Sequence, residues 1–294
     1  MPVKTRQVGP CFAAEVEGVD ISQPLSREDV AAIHAGMDQY AVLVFHDQQI
    51  DDAQQLAFTR SLGEIEHAIG TSLRAPDEYR LPTTFADVSN LDKDNKIFAR
   101  DDRRRLFGLG NRLWHSDSSF KSTPAKYSLL HALSVPSKGG NTEFAYMVAA
   151  YDALDADTKK LVEDLVCEHS LMYSRGSLGM VEYSDEERAM FRPVRQSLVR
   201  THPVSGRRSL YLSAHAGAII GMPIAEARIL LKDLTEHATQ PAFVYAHTWR
   251  TWDVVMWDNR QMMHRARRYD EAQPRDMRRT TIAGDTPTTA QVAA

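Results

Sequence analysis

The stretch Asn111-Arg-Leu-Trp-His-Ser-Asp-Ser-Ser-Phe120 sets a histidine and an aspartate on either side of one serine. On an extended backbone alternate side chains share a face, so His115 and Asp117 would stand together. A neutral imidazole beside a carboxylate offers one nitrogen and one oxygen to a divalent metal. A second histidine from a distant strand would complete two histidines and one carboxylate on one face, with three coordination positions left open. That arrangement is diagnostic of non-haem Fe(II) oxygenases. With eleven histidines in the chain, a chance His-x-Asp is unsurprising, so the motif counts only together with its surroundings.

Working outward, 294 residues suit one large domain or two small ones and can bury a sizeable core. Hydrophobic residues at 43% and charged residues at 25% are ordinary for a globular protein, which sets disordered and membrane classes aside. A net charge of −4 argues against general nucleic-acid binding. Two cysteines, Cys11 and Cys167, make neither a disulfide framework nor a cysteine zinc site, and read as reduced thiols. The N-terminus lacks a signal-peptide pattern and no apolar run is long enough to span a bilayer. These features predict a soluble, cytoplasmic protein with no membrane partner; a homo-oligomer is compatible with them.

Upstream of the motif, Phe12–Asp20 partly alternates as a short strand, and Ser26-Arg-Glu-Asp29 is a capping-box-like start for a helix towards Gln39. Val42–Phe45 has the composition of a buried strand, and Asp51-Asp52 open a helix through Leu62 that Gly63 stops. Residues 64–112 predict a long loop with a short strand near Val88, of the kind used as a lid. Its run Asp101-Asp-Arg-Arg-Arg105 reads as a solvated turn. Downstream, Tyr127–Val135 and Thr142–Tyr146 read as strands able to form a hairpin, and Ala149 to about Glu168 as helix. Leu198–His202 and Ser209–Ser213 make a second hairpin. Pro223 begins an amphipathic helix with Ala227, Leu231 and Leu234 on one stripe. Strands return at Phe243–Trp249, Val254–Trp257 and Arg278–Ile282, and the polar tail from Thr286 is expected to fray. Many short strands with interspersed helices favour a β-sandwich or barrel-like core. An α/β sheet is disfavoured, because no Gly-rich phosphate loop follows a strand. No repeat or linker shows, so the reading is one domain: a helical and strand N-terminal part (1–63), a loop or lid (64–112), a strand-rich core (113–283) and a tail (284–294).

The second histidine is found in Val254-Val-Met-Trp-Asp-Asn-Arg-Gln-Met-Met-His264, followed by Arg265, Arg267, Arg268, Arg275, Arg278 and Arg279. This basic cluster is either a solvated or phosphate-contacting edge, or a set of guanidinium groups that bind carboxylates bidentately. His115-Ser-Asp117, Thr142, Trp257–His264, Arg275 and Arg279 together resemble the 2-oxoglutarate-dependent dioxygenases that act on taurine and on 2,4-dichlorophenoxyacetate. Leu113–Phe120, Gly140–Phe144, Ala149–Leu154 and His264–Asp270 are most similar to the aryloxyalkanoate branch of that family. The resemblance runs from Val42 to Arg279 and is loosest over residues 64–110, where substrate-contacting loops fall.

The resemblance implies a double-stranded β-helix, or jelly-roll, core that is mainly β with helices. It implies His115, Asp117 and His264 as ligands of Fe(II), and Thr142 and Arg275 as the residues holding a 2-oxoglutarate carboxylate. Arg279 would take the acid group of a small organic substrate, with Arg278 or Arg74 as substitutes. Asn111, His202, His215 and His67 would lie at the substrate pocket, although His202 and His215 read equally well as structural histidines. The implied reaction uses O2, with ascorbate as reductant in vitro. It yields succinate and CO2 while hydroxylating a substrate carbon; beside an ether oxygen the product collapses to a phenol and glyoxylate or another oxo acid. The same chemistry on a sulfonate, an aliphatic acid or an acylated amino acid is the nearest alternative. A His/Asp/His zinc hydrolase would leave Thr142 and Arg275 unexplained. A non-catalytic acid-binding jelly roll would not need all three ligands.

Overall fold

The computed structural model describes residues 3–68 and 79–291. The chain opens with strands β1 (Lys4–Gln7) and β2 (Ala14–Glu17), then helix α1 (Arg27–Tyr40) and strand β3 (Val42–Phe45). The Ser26 hydroxyl accepts from the Asp29 N–H and caps α1, as its position predicts. Helix α2 (Asp52–Leu62) starts on a full capping box between Asp51 and Gln54 and stops at Gly63. A β-carbon at Gly63 would lie 2.7 Å from Ile282, so the end of this helix is pressed directly onto the C-terminal strand. Strand β4 (Ala86–Asp87) and helix α3 (Arg103–Gly108) lead through a 3-10 turn, Leu109–Arg112, to the His115–Asp117 stretch. There follow β5 (Tyr127–Ser134), β6 (Thr142–Tyr146), α4 (Met147–Asp152), α5 (Ala156–Val162), β7 (Val166–His169), α6 (Leu171–Gly176) and α7 (Asp185–Met190). Next come β8 (Val194–Ser197), β9 (Val199–Thr201), β10 (Arg208–Leu210), β11 (Ala216–Ile219) and α8 (Ile224–Ala238). The last strands are β12 (Val244–His247), β13 (Val254–Asp258), β14 (Met262–Ala266) and β15 (Asp276–Ile282).

Among the described residues the largest sheet has seven strands in the order β1-β2-β3-β13-β5-β15-β4. A second sheet, β12-β6-β14, packs against it. Val44, Leu130, Val255 and Trp257 from the first meet Phe144, Tyr146 and Met262 from the second in one fully apolar layer. On the outer face of the large sheet α1 and α2 bury Ile33, Met37, Phe58 and Leu62 against Leu43, Leu129 and Met256. The amphipathic stripe of α8 buries Ala227, Leu231 and Leu234 as its spacing predicts, in a third cluster with α4, β10 and β11. The protein is therefore mainly sheet with packed helices, and no helix of the described residues is long and apolar enough to cross a membrane.

Four local expectations are corrected. First, β5 and β6 are not a hairpin: β5 pairs with β13 and β15, whereas β6 pairs with β12 and β14. The link between them changes sheet, with Gly139 and Gly140 at φ 76° and 75°, and Gly140 N–H bonded to Arg268 O. Second, the segment 149–168 is not one helix. Asp155 caps a new start by accepting from Thr158, and Val166–Glu168 become strand because β8 and β11 flank them. Third, Asp101–Arg105 is no loose turn: Asp102 caps α3, while Arg103 and Arg105 pair with Glu187 and Glu271. Fourth, the tail does not fray at Thr286. Ser197 N–H donates to Thr288 Oγ1 at 3.0 Å, and Gln291 bonds both backbone groups of Arg195.

Two buried histidines away from the motif give the fold a pH signature. Burial presses His131 down to about 4 and His169 down to about 3, so both are neutral when folded at neutral pH. An unfolded chain protonates its histidines below about pH 6.5, which the native state resists. Stability is therefore complete above pH 6.5 and declines as the pH falls through 6.5 towards 4. Each of the two should cost about 2 kcal/mol at pH 5 relative to pH 7. Urea unfolding at the two pH values measures this, and an unchanged midpoint would mean that both histidines accept protons inside the fold.

Candidate metal centre

His115 and His264 face each other across a single antiparallel bridge: His115 N–H donates to His264 O at 3.0 Å, and His264 N–H to His115 O at 2.8 Å. Their ring centres are 4.2 Å apart. His264 lies in β14, which the turn Asp258–Gln261 folds back from β13. The stretch carrying His115 is not a regular strand. It leaves a 3-10 turn, pairs its backbone with β14 at His115, adds a bond from Ser116 Oγ to Met262 O at 2.9 Å, and turns again after Asp117, with Ser118 in the left-handed region at φ 54°. Asp117 reaches the same place because Asn259 Oδ1 accepts its backbone N–H at 3.1 Å.

The carboxylate of Asp117 is held from behind. Ser128 Oγ donates to one oxygen at 2.7 Å, and Asn259 Nδ2 in turn donates to Ser128 Oγ at 3.0 Å. The indole of Trp257 donates to Asn259 Oδ1, fixing that amide. His115 Nδ1 bonds Leu113 O at 2.8 Å, which leaves its Nε2 facing Asp117 at 3.8 Å. His264 Nε2 stands 3.8 Å from the other carboxylate oxygen, and the three ligand atoms all lie within 4.8 Å of one another.

Burial lowers the pKa of His115 and drives that of His264 well below the ordinary value, so both rings are neutral donors near pH 7. Burial acts on Asp117 in the opposite sense. The Arg279 guanidinium, with His264 and His115, nonetheless draws its carboxyl down to about 2. Two neutral nitrogens and one anionic oxygen, all buried, fit a divalent first-row metal.

A cavity of about 290 Å³ opens on these ligands, lined also by Asn111, His215, Arg275 and Arg279. A smaller recess beside it adds Thr142 and His264. Arg275 is only 4% exposed, donates through Nη1 to Val88 O, and has no carboxylate partner among the described residues. Its burial lowers it to about 10, still protonated at neutral pH. The Thr142 hydroxyl accepts from the Trp249 indole at 2.9 Å, so its own proton is directed elsewhere. Arg279 donates to Asp117 Oδ1, leaving its buried Nε without a partner.

The structure does not bring every expected residue to the cavity. His202 lies outside its walls, bonded to Asp258 at 3.2 Å in a network with Arg260 and Gln261 that braces the turn before β14. His67 is exposed against Thr83, although its neighbours Glu66 and Ala68 line the wall. Arg278 points to the other face of β15 and pairs with Asp52 and Asp276, and Arg74 falls outside the described residues. Sequence reasoning missed Ser128 and Asn259, which orient Asp117, and Arg175, which also lines the cavity. Ser128 had no signal in its strand. Arg175 had one: it is the only Asp, Glu, Lys or Arg between Glu168 and Glu182.

Removing an orienting group behind a ligand should weaken metal binding by about 10–100-fold. Ser128→Ala is expected to do so in calorimetric titrations with Mn(II), and wild-type affinity in that variant would remove Ser128 from the assembly. The chain is similar to several known proteins. The family described as taurine catabolism dioxygenase TauD, TfdA matches residues 4–281. The alpha-ketoglutarate-dependent 2,4-dichlorophenoxyacetate dioxygenase of Burkholderia sp. (strain RASC) is 44% identical over 97% of this chain and 95% of its own. The (S)-phenoxypropionate/alpha-ketoglutarate-dioxygenase of Sphingobium herbicidovorans is 38% identical, covering 93% and 92%. The crystal structure of AAD-2 in complex with Mn(II) and N-oxalylglycine superposes with a TM-score of 0.96 at 59% identity, covering 98% of this chain and 100% of that one. The chain belongs to the TauD/TfdA family of dioxygenases and is an oxidoreductase.

Proposed function

We propose that the protein is an Fe(II)- and 2-oxoglutarate-dependent dioxygenase that hydroxylates a small organic acid, with aryloxyalkanoates such as 2,4-dichlorophenoxyacetate as the substrate class. The observation that carries this reading is the buried His115–Asp117–His264 set beside a buried guanidinium, Arg275, that has no carboxylate partner among the described residues. The relatives named for phenoxyacetate and phenoxypropionate, and the neighbour holding Mn(II) with N-oxalylglycine, support it. In this reading the whole chain acts as one domain, and the two sheets around the Phe144–Trp257 layer form a double-stranded β-helix.

His115, Asp117 and His264 would hold the iron. When bound, Fe(II) supplies oxygen activation coupled to the loss of CO2 from 2-oxoglutarate, which leaves succinate. Arg275 pairs with the far carboxylate of 2-oxoglutarate, and the Thr142 hydroxyl donates to the same group while the Trp249 indole keeps it aimed. Arg279 stands at the metal end of the cavity, where it keeps Asp117 anionic. The cavity walls then set the substrate so that the carbon beside its ether oxygen faces the centre. Hydroxylation there gives a hemiacetal that collapses to a phenol and glyoxylate.

Purified protein with Fe(II), ascorbate, 2-oxoglutarate and O2 should release phenol from an aryloxyacetate with matching succinate. A panel including sulfonates and aliphatic acids tests the class: substrate-dependent succinate only with those would place the chemistry correctly and the substrate wrongly. Arg275→Ala should raise the 2-oxoglutarate KM by about 10–150-fold, the loss of a charge-assisted hydrogen-bonded partner. An unchanged KM would move that role to another arginine.

A further inference from the structure

We propose that Arg175, carried by α6, binds the acid group of the substrate. This rests on the reading of the cavity as a site for acidic substrates. Arg175 is 6% exposed and lines the same cavity as His115 and Asp117. Its Nη1 donates to Ser174 Oγ at 3.0 Å, its guanidinium carbon lies 4.3 Å from the ring centre of Phe107, and its Nε is buried with no partner. No carboxylate among the described residues pairs with it, which leaves most of its five N–H donors for something else. A buried charge without a counter-ion destabilises the fold, so one placed on a cavity wall is explained by an anion that arrives with the ligand. Burial lowers its pKa to about 10, so it stays cationic at neutral pH.

The proposed reaction brings two acids into the cavity, and two buried guanidinium groups there have no carboxylate partner among the described residues: Arg275 and Arg175. Arg279, the residue expected to read the substrate, is already bonded to Asp117. Arg175 is also close enough to the metal ligands to place a small acid. The Ser174 hydroxyl that it bonds also meets His215 Nδ1 at 2.9 Å, and the His215 ring centre is 6.0 Å from that of His115. Phe107, Phe120 and Leu171 line the cavity on that side, giving apolar surface for an aryl body whose acid end is on Arg175. Gly110 makes the room: a β-carbon there would fall 2.3 Å from the guanidinium carbon.

The test compares phenoxyacetate with phenoxyacetamide, which lacks the anion, in anaerobic calorimetric titrations of the enzyme loaded with Fe(II) and 2-oxoglutarate. Arg175→Gln should weaken the acid by about 10–150-fold and the amide little, so the gap between them closes. Gly110→Ala, which keeps the charge but displaces the guanidinium, should narrow the gap in the same direction. The urea midpoint of Arg175→Gln should equal or exceed that of wild type, because an unpaired buried charge has been removed; a structural arginine would lower it. The proposal is overturned if both variants keep the wild-type gap, or if Arg279→Ala alone erases it. If wild type binds no acid of the panel, the reading of an acidic substrate fails, and this proposal with it.

Discussion

Two backbone hydrogen bonds, one from His115 to His264 and one back, join an irregular segment to β14 at the point where the two candidate ligand histidines stand. Neither residue could be held by propensity alone, since the segment around His115 has no ladder of its own. β14 is fixed by five residue pairs with β6, and that register is transferred to His115 through this one bridge. Everything upstream serves the same point. Phe144 of β6 stacks on His264 and meets Trp257 at a tilt, so the apolar layer between the sheets is also the floor of the candidate metal centre. Packing there and ligand geometry are one constraint.

Charge follows the same economy of position. Most buried cations of the core have carboxylate partners: Arg279 on Asp117, Arg260 on Asp258, Arg278 on Asp52. On the cavity wall, Arg275 and Arg175 bond only a carbonyl and a hydroxyl and have no carboxylate partner among the described residues. Proteins retain such groups where function opposes stability, and the cost is reduced when the anion binds. The cavity is thus cationic before any ligand arrives, which favours small acids over neutral molecules of the same shape.

Much of this was legible in the sequence, and for physical reasons. Caps at Ser26 and Asp51, the stripe on α8 and the apolar run at Val42–Phe45 are local signals that tertiary packing did not override. The clustering of His115, Asp117 and His264 was foreseen through the family resemblance, which joined His-x-Asp to the distant histidine along with Thr142 and Arg275. What failed was non-local. Alternation in β5 and β6 gives a buried face but not a partner, so a change of sheet looked like a hairpin. Val166–Glu168 had helical neighbours in sequence and strand neighbours in space. His202 read equally well as pocket or structural histidine, because one bracing a turn has the same sequence context as one facing a ligand; its bond to Asp258 fits the structural reading. Ser128 and Asn259 matter only through contacts that no spacing encodes.

The bonded C-terminal tail has a consequence beyond its own order. Thr288 Oγ1 donates to Gln196 Oε1 at 2.6 Å, and Gln196 Nε2 donates to the carbonyls of Ser119 and Lys121 at 2.9 and 2.8 Å. Those carbonyls belong to the turn that follows Asp117. Residues 288–291 therefore act as a latch, closing over β8, an edge strand of its sheet, and through one glutamine steadying the loop that carries the candidate ligand Asp117. A chain shortened before Thr288 would leave that edge bare, a template for pairing with a second copy. It would also loosen the Asp117 turn from a distance, joining solubility and metal retention in one short peptide at the end of the molecule.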